Sequence, residues 1–168
     1  MALIVEDGSG VAEAESYVSV EAAGVFFSAR DLAPPAEGLL RRAMDYLETL
    51  SWAGRVAEGT QPLAFPRAGL TNRNGAPLGA DLVPPELVRA QLWLAYYIGQ
   101  GTDPGAPAAL NVRREKVGPI DTEYAVGVGA RHAIRIEELP RVYRELEPFL
   151  ANDSGTLVRT SVLGIDRA

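Results

Sequence analysis

The residue types that most often carry out catalysis are scarce in this chain. There are no cysteines, which excludes disulfides, thiolate metal sites and thiol nucleophiles together. His132 is the single histidine, and it stands among Arg131, Ala133 and Arg135 without a nearby cluster of acids. A metal site or a catalytic triad needs further groups that this neighbourhood does not supply. We interpret His132 as a surface or hydrogen-bonded histidine and expect no metal site.

The one candidate for phosphate binding is the short stretch Gly127-Val128-Gly129. It lacks the third glycine of a dinucleotide fingerprint and the Lys-Ser/Thr ending of a P-loop, so we interpret it as a turn. Acids are numerous but scattered, and a pair such as Glu137-Glu138 is typical of a solvated face. Distant acids can still meet in space. We therefore expect no cofactor and no enzyme, and keep a site built from scattered acids as a third hypothesis.

The segment from Val112 to Tyr124, VRREKVGPIDTEY, has the clearest strand pattern in the chain. After Gly118-Pro119, the residues Ile120, Thr122 and Tyr124 alternate with the acids Asp121 and Glu123. This period of two predicts a half-buried strand, and Gly-Pro predicts a turn before it. Basic residues beside an aromatic one could form a single-stranded-DNA site. Acids interleave with the bases and cancel much of that charge, so we favour a small charged hairpin. The charged residues are Arg113, Arg114, Glu115, Lys116, Asp121 and Glu123.

The composition is that of one soluble globular domain. The chain has 168 residues, of which 47% are hydrophobic and 23% charged, and its net charge is −6. An acidic chain is a poor partner for nucleic acid, because that affinity depends on Lys and Arg. The N-terminus has no signal-peptide pattern, and no apolar run approaches the ~20 residues of a membrane span. We expect a cytoplasmic protein without a membrane partner.

Charge is unevenly distributed along the sequence. Acids occupy the first 29 residues without any Lys or Arg, and basic residues cluster later. Two interpretations stay open: complementary surfaces between copies of one chain, or an ordinary solvated surface.

Four helices are predicted from spacing and capping. The first follows Ser19 as N-cap, and the second runs over 37–50 with a leucine-rich stripe. The third runs over 86–99 after two prolines and is apolar nearly all round, so it should form the centre, with Trp93 or the tyrosines as candidates for a subunit interface. The fourth starts at about Glu137 and ends or kinks near Pro148.

The remaining segments are loops and arms. Residues 1–15 are predicted as an extended arm, 16–154 as the helical domain and 155–168 as a β-prone C-terminal arm. In the long connection over 55–82, Leu63 and Phe65 should pin a rigid loop, and Asn72–Gly75 should turn. The predicted fold is therefore mainly α: a small four-helix bundle with long loops, a short β-hairpin around 112–124 and an extended C-terminal arm.

Several short segments, taken in order, carry a resemblance to a known family. They are Glu15-Ser16-Tyr17-Val18-Ser19, Arg42-Ala43-Met44-Asp45-Tyr46-Leu47, Phe65-Pro66-Arg67, Val83-Pro84-Pro85-Glu86-Leu87 and Arg114-Glu115-Lys116-Val117-Gly118-Pro119-Ile120. Over about residues 13 to 124 the chain resembles the head–tail adaptor (connector) proteins of tailed bacteriophages, in the branch often labelled DnaT-like single-stranded-DNA-binding proteins. Phe65 departs from the tryptophan expected there, a mild change in a packing residue. Beyond Tyr124 the resemblance is weak, and the role of the C-terminal arm is inferred by analogy alone.

The resemblance implies a structural virion protein with no cofactor. Such subunits form a ring, typically of twelve copies, in the virion neck, having been assembled in the bacterial host cytoplasm. The implied partners are the portal protein and a downstream neck or tail-completion protein, and double-stranded DNA passes through the channel without specific binding. The charged hairpin would face a neighbouring subunit or the channel. Portal contacts would come from the C-terminal residues Leu157, Val158, Arg159, Val162, Leu163 and Ile165.

The alternative function is the one that the family label suggests. In it, the chain is a single-stranded-DNA-binding protein of phage replication. A salt-dependent titration with an oligonucleotide separates this hypothesis from the adaptor hypothesis.

Overall fold

A computed structural model describes residues 3–104, 112–117, 120–125 and 139–151, with the strands at 112–117 and 120–125 described by their backbone. This part of the chain is mainly helical with a small antiparallel hairpin, which confirms the predicted fold class. The helices are α1 Val20–Ser28, α2 Glu37–Leu47, α3 Pro85–Gly99 and α4 Pro140–Leu146, followed by a 3₁₀ turn at Glu147–Phe149. The strands are β1 Arg55–Val56, β2 Arg67–Ala68, β3 Val112–Val117 and β4 Ile120–Ala125.

The ends of α1 and α2 follow from local hydrogen bonding. The Ser19 hydroxyl accepts the N–H of Ala22 at 3.1 Å, so Ser19 is the N-cap of α1 as predicted. Helix α2 ends at Leu47, three residues before the predicted end. The Thr49 hydroxyl donates to the carbonyl of Tyr46 at 2.7 Å, and the backbone N–H of Thr49 bonds the same oxygen. This local pairing replaces the next helical turn.

Helix α3 is the centre of the body, as its sequence predicted. It packs against α2 on one side and α4 on another. Leu87, Ala90, Leu94 and Ala95 are fully buried along its length. A helix that is apolar on several sides can be covered in this way only by several neighbours.

Helix α4 begins later than predicted. It starts at Pro140 rather than at about Glu137, since a proline is well suited to the first helical turn and supplies no N–H inside it. Its α-helical part ends at Leu146, and the chain passes through the 3₁₀ turn containing Pro148, as expected. Val142, Leu146 and Phe149 are fully buried and close the core beside α3.

The long connection between α2 and α3 is held from inside. Phe65 is fully buried and Leu63 nearly so, which confirms the predicted pinning of this loop. The Arg67 guanidinium donates to the carbonyl of Ala53 at 2.7 Å and to those of Ala64 and Gly54 at 3.2 and 3.1 Å. One arginine thus joins the end of α2 to the loop that returns beside it.

Residues 3–15, predicted as an arm, lie against the helical body. Ala14 is buried in the core, and Val5 forms a parallel bridge with Ser16. The buried Glu6 carboxylate accepts the N–H groups of Gly8, Gly10 and Val11 at 2.8–2.9 Å. A Cβ at Gly8 would stand 2.1 Å from a backbone oxygen of residue 81, so this turn requires glycine. The domain boundary at residue 15 stays a prediction.

Candidate functional site

The charged segment predicted for assembly forms a regular hairpin. Strand β3 pairs antiparallel with β4 over six residue pairs. Arg114 lies opposite Glu123, and Lys116 lies opposite Asp121. Alternate residues of a strand belong to one face, so these four positions share a face of the ribbon. Each base on that face therefore has an acid at the opposing position, and the formal charges cancel.

The other face of the hairpin has a different composition. It contains the positions Arg113, Glu115 and Val117 on β3, which oppose Tyr124, Thr122 and Ile120 on β4. The apolar pair of Val117 and Ile120 is the last pair of the ribbon. The six predicted interface residues are thus brought together on one ribbon, but they divide between its two faces.

Among the described helices and strands, the two strands of the hairpin contact mainly each other, and the helices contact mainly other helices. A two-stranded hairpin alone is marginally stable in water, and further strands or a packing surface are needed for independent stability. This arrangement suits a segment that binds a partner.

The other predicted site residues lie outside the described residues. They are the portal-contact set Leu157, Val158, Arg159, Val162, Leu163 and Ile165, together with His132 and the stretch 127–129.

A surface that sequence reasoning identified only in part lies where α1, the second half of α3 and the start of α4 meet. The Arg30 guanidinium lies 3.6 Å above the centre of the Phe26 ring, and that of Arg141 lies 4.1 Å above Trp93. Tyr96 and Tyr97 are half-buried beside Trp93. We call Phe26, Arg30, Trp93, Tyr96, Tyr97 and Arg141 the arginine–aromatic patch. The tyrosines and Trp93 were interface candidates from sequence. The arginines come from the turn after α1 and from α4, and only the fold reveals that they lie beside these rings.

Two of the described arginines elsewhere on the body form ion pairs. Arg41 pairs with Glu15 at 3.0 Å and also with Glu37. The hydrogen bond from Arg41 lowers the pKa of the Glu15 carboxyl. Arg89 pairs with Glu145 at 3.0 Å across α3 and α4. Arg30 and Arg141 are exposed and form no ion pair with any described residue, and the same is true of Arg42, Arg55 and Arg144. Arg30 donates a hydrogen bond to the carbonyl of Phe26 at 2.6 Å.

An open cleft of about 320 Å³ lies where the N-terminal turn meets the long connection between α2 and α3. We call it the acidic cleft because Glu58 and Asp81, both exposed, line it and no basic residue does. The remaining lining residues are Gly8, Ser9, Gly10, Ala57, Pro66 and Ala80. Its charge disfavours nucleic acid and other polyanions as ligands.

The most perturbed buried group has a structural role. Burial raises the pKa of the Tyr17 hydroxyl well above its ordinary value. That hydroxyl bonds Glu48 and the backbone of Phe65, both within the body. In the described part of the chain, no group of three His, Cys, Asp or Glu side chains could hold a metal ion. No helix there has the length and hydrophobicity to cross a membrane.

Fold and surfaces together define a small helical protein with a charged β-hairpin and two oppositely charged surfaces. A family model matches residues 1–162, and its printed description is "Putative DnaT-like ssDNA binding protein". The chain belongs to this family. This agrees with the DnaT-like label of the branch that the sequence resembles. No significant match was found among curated proteins or among solved structures.

Proposed function

We propose that the protein is a head–tail adaptor of a tailed bacteriophage, a non-catalytic ring subunit in the virion neck between the portal and the downstream neck or tail-completion protein. The observation that carries the proposal is the β3–β4 hairpin, a ribbon of six residue pairs whose strands, among the described helices and strands, contact mainly each other. Such a ribbon gains stability when it packs on a neighbouring subunit. The ordered segments that resemble connector proteins support the same role.

The distribution of charge favours the adaptor function over tight DNA binding. The chain is acidic overall, and the bases of the hairpin are matched by acids at opposing positions. A net acidic ring repels the phosphate backbone, so double-stranded DNA can pass through the channel without being held. The C-terminal residues from Leu157 to Ile165 would reach into the portal.

The direct test is cryo-electron microscopy of the full chain mixed with portal rings of the same virus. The adaptor function predicts a ring of this protein on one end of the portal, with the hairpins between subunits or towards the channel. Assembly only on the portal would also fit. A chain that never docks on the portal at tens of micromolar would overturn the proposal.

Single-stranded-DNA binding is the second candidate, and the description of the family favours it. Exposed arginines stacked on aromatic rings are compatible with a base-stacking surface. A titration with fluorescent oligo-dT at low and high salt discriminates between the candidates. Salt-dependent binding in the micromolar range, with no portal docking, would favour this function. No binding at low salt would remove it.

A further inference from the structure

The arginine–aromatic patch has the composition of a protein-binding hot spot. Trp, Tyr and Arg are the residue types that dominate binding energy at interfaces. Here Phe26 and the two tyrosines are half-exposed, and Val25 beside them on α1 is 73% exposed. Two arginines without acidic partners among the described residues stand on this apolar surface. The patch therefore offers both an anchor and unpaired positive charge.

The complementary surface is on the same chain. The acidic cleft holds Glu58 and Asp81 and is concave, whereas the patch presents guanidinium groups on an apolar base. Carboxylates bind guanidinium groups through strong, charge-assisted hydrogen bonds. Charge and composition thus match between the two surfaces.

The two surfaces are separated along α3. Asp81 lies four residues before the start of α3 at Pro85, and the patch uses Trp93 to Tyr97 in its second half. At a rise of about 1.5 Å per residue, Tyr96 lies roughly 16 Å beyond Pro85. Helix α4 runs back along α3, with Arg141 near Trp93 and Glu145 near Arg89. The cleft residue Asp81 thus precedes α3 in the chain, whereas the patch uses the second half of this helix, and the two surfaces share no residue.

We infer that the arginine–aromatic patch of one copy binds the acidic cleft of the next copy. A contact between two different surfaces is head-to-tail, and it generates a ring when the rotation closes. The inference rests on the proposed adaptor function and adds to it the surfaces that join the subunits. It commits to a second copy of this chain as the occupant of the patch.

The test is a charge-swap complementation with the full chain. The patch-reversed variant carries Arg30→Glu and Arg141→Glu, and the cleft-reversed variant carries Glu58→Arg and Asp81→Arg. Either variant alone brings like charges together in every contact. In an equimolar mixture, the reversed patch meets the reversed cleft and the native patch meets the native cleft. Assembly should therefore be lost in each variant and regained on mixing.

Matched controls separate the effect of where the charges are reversed from the effect of the change in net charge. Arg42→Glu with Arg55→Glu changes the charge as the patch-reversed variant does, and Glu13→Arg with Asp45→Arg changes it as the cleft-reversed variant does. All four control residues are exposed and lie outside both surfaces. The controls should assemble like the unmodified chain. Far-ultraviolet circular dichroism checks that every variant is folded.

Sedimentation velocity, in solution and with portal rings, measures assembly. We expect each reversed variant to need about tenfold or more protein to assemble, since tenfold corresponds to the loss of one modest hot spot. Reversed variants that assemble like the unmodified chain, or a mixture that does not recover, would overturn the inference. Portal docking of the unmodified chain with failed complementation would remove only this inference and leave the adaptor function intact.

Oligonucleotide binding is the remaining outcome. If the unmodified chain binds oligo-dT, loses it in the patch-reversed variant and keeps it in the control with the same charge, the patch is a nucleic-acid surface. That result, with no self-assembly at any concentration tested, would also overturn the inference.

Discussion

The Tyr17 hydroxyl donates a 3.2 Å hydrogen bond to Glu48 and accepts one of 3.1 Å from the backbone N–H of Phe65. Glu48 in turn accepts the N–H of Ala64 at 3.0 Å. Three segments distant in sequence are thus joined: the strand-like stretch before α1, the end of α2 and the long connection. Aromatic contacts of Phe65 with Tyr17 and Trp52 complete the joint.

Replacing Tyr17 with phenylalanine should destabilise the fold. The substitution keeps the ring but leaves the buried N–H of Phe65 without its partner, which costs about 1–3 kcal/mol in the free energy of unfolding. Urea denaturation followed by circular dichroism measures the change. Tyr143→Phe, at a half-buried ring on α4, is the matched control and should cost less. Equal effects of the two substitutions would contradict the role of the Tyr17 hydroxyl.

Glu48 should make stability depend on pH. Although the residue is exposed overall, burial of its carboxyl against Tyr17 and the loop is the largest influence and raises its pKa from the ordinary 4.5. The hydrogen bonds from Ala64 and Tyr17 oppose this rise. The folded chain binds the proton of the Glu48 carboxyl more tightly than the unfolded chain does. Folding is therefore accompanied by proton uptake between about pH 4.5 and the raised pKa of Glu48. Through that window, the contribution of Glu48 to the free energy of unfolding falls as pH rises.

Glu48→Gln removes this titration and keeps an acceptor for Ala64 and Tyr17. The difference in unfolding free energy, variant minus unmodified chain, should therefore shift in favour of the variant as the pH rises from about 4.5 through the raised pKa of Glu48. Denaturant titrations at several pH values measure the shift. Glu147→Gln, at an exposed glutamate, controls for the loss of one negative charge. A difference that stays flat across this range would show that the Glu48 carboxyl is not destabilised by burial.

Most of the helical body could be predicted from the sequence, because the sequence signals for helices are local. The N-cap Ser19, the stripe around Leu40 and the prolines before α3 each act within a few residues of the element they define. The same signals failed at the end of α2, where a side-chain bond from Thr49 competes with the helix. They also placed the start of α4 three residues too early, before Pro140.

Surfaces that are assembled from distant segments of the chain could be predicted much less well from the sequence. The hairpin was predicted because Val112–Val117 and Ile120–Ala125 are neighbours in sequence, so its register follows from one turn. The arginine–aromatic patch brings Arg30 and Arg141 together across more than a hundred residues, and no local pattern encodes that meeting. The inward direction of Arg67 likewise depends on carbonyls exposed by the bend after α2.

Gln91 should be among the most sensitive positions in the core. It is fully buried on α3, where it accepts the N–H of Tyr17 and donates to the Ser16 hydroxyl and the carbonyl of Leu40. Gln91→Leu introduces an apolar side chain of similar size and leaves buried polar groups unpaired. The expected loss is about 2–4 kcal/mol in the free energy of unfolding.

The matched control for Gln91 is Leu92→Met, a volume-conserving change at the next buried position of α3. Such swaps usually cost less than about 1.5 kcal/mol. Differential scanning calorimetry of both variants provides the comparison. A Gln91→Leu variant as stable as Leu92→Met would mean that the surrounding groups find other partners.

Deleting residues 156–168 should leave the helical body folded and abolish portal docking. The described core is built from residues between Ala14 and Phe149, all before the deletion. Thermal denaturation should therefore change little, while co-sedimentation with portal rings should fall to background. A truncated chain that loses helical content would show that the tail belongs to the core, and one that still docks would assign the portal contact to another segment.

Reversing Arg114 alone should weaken assembly, and reversing Glu123 with it should restore assembly. Arg114→Glu places two acids at directly opposing positions of the hairpin, an arrangement that costs a few tenths to about 1 kcal/mol in a ladder. The double variant Arg114→Glu with Glu123→Arg re-establishes opposite charges at the same register. Arg42→Glu, at an exposed residue of α2 outside the hairpin, controls for the charge change alone. Because the strands of the hairpin, among the described helices and strands, contact mainly each other, the melting of the body should be equal in all three variants. Sedimentation velocity with portal rings measures assembly, and a double variant as impaired as Arg114→Glu would show that absolute charge, rather than pairing across the ribbon, sets the contact.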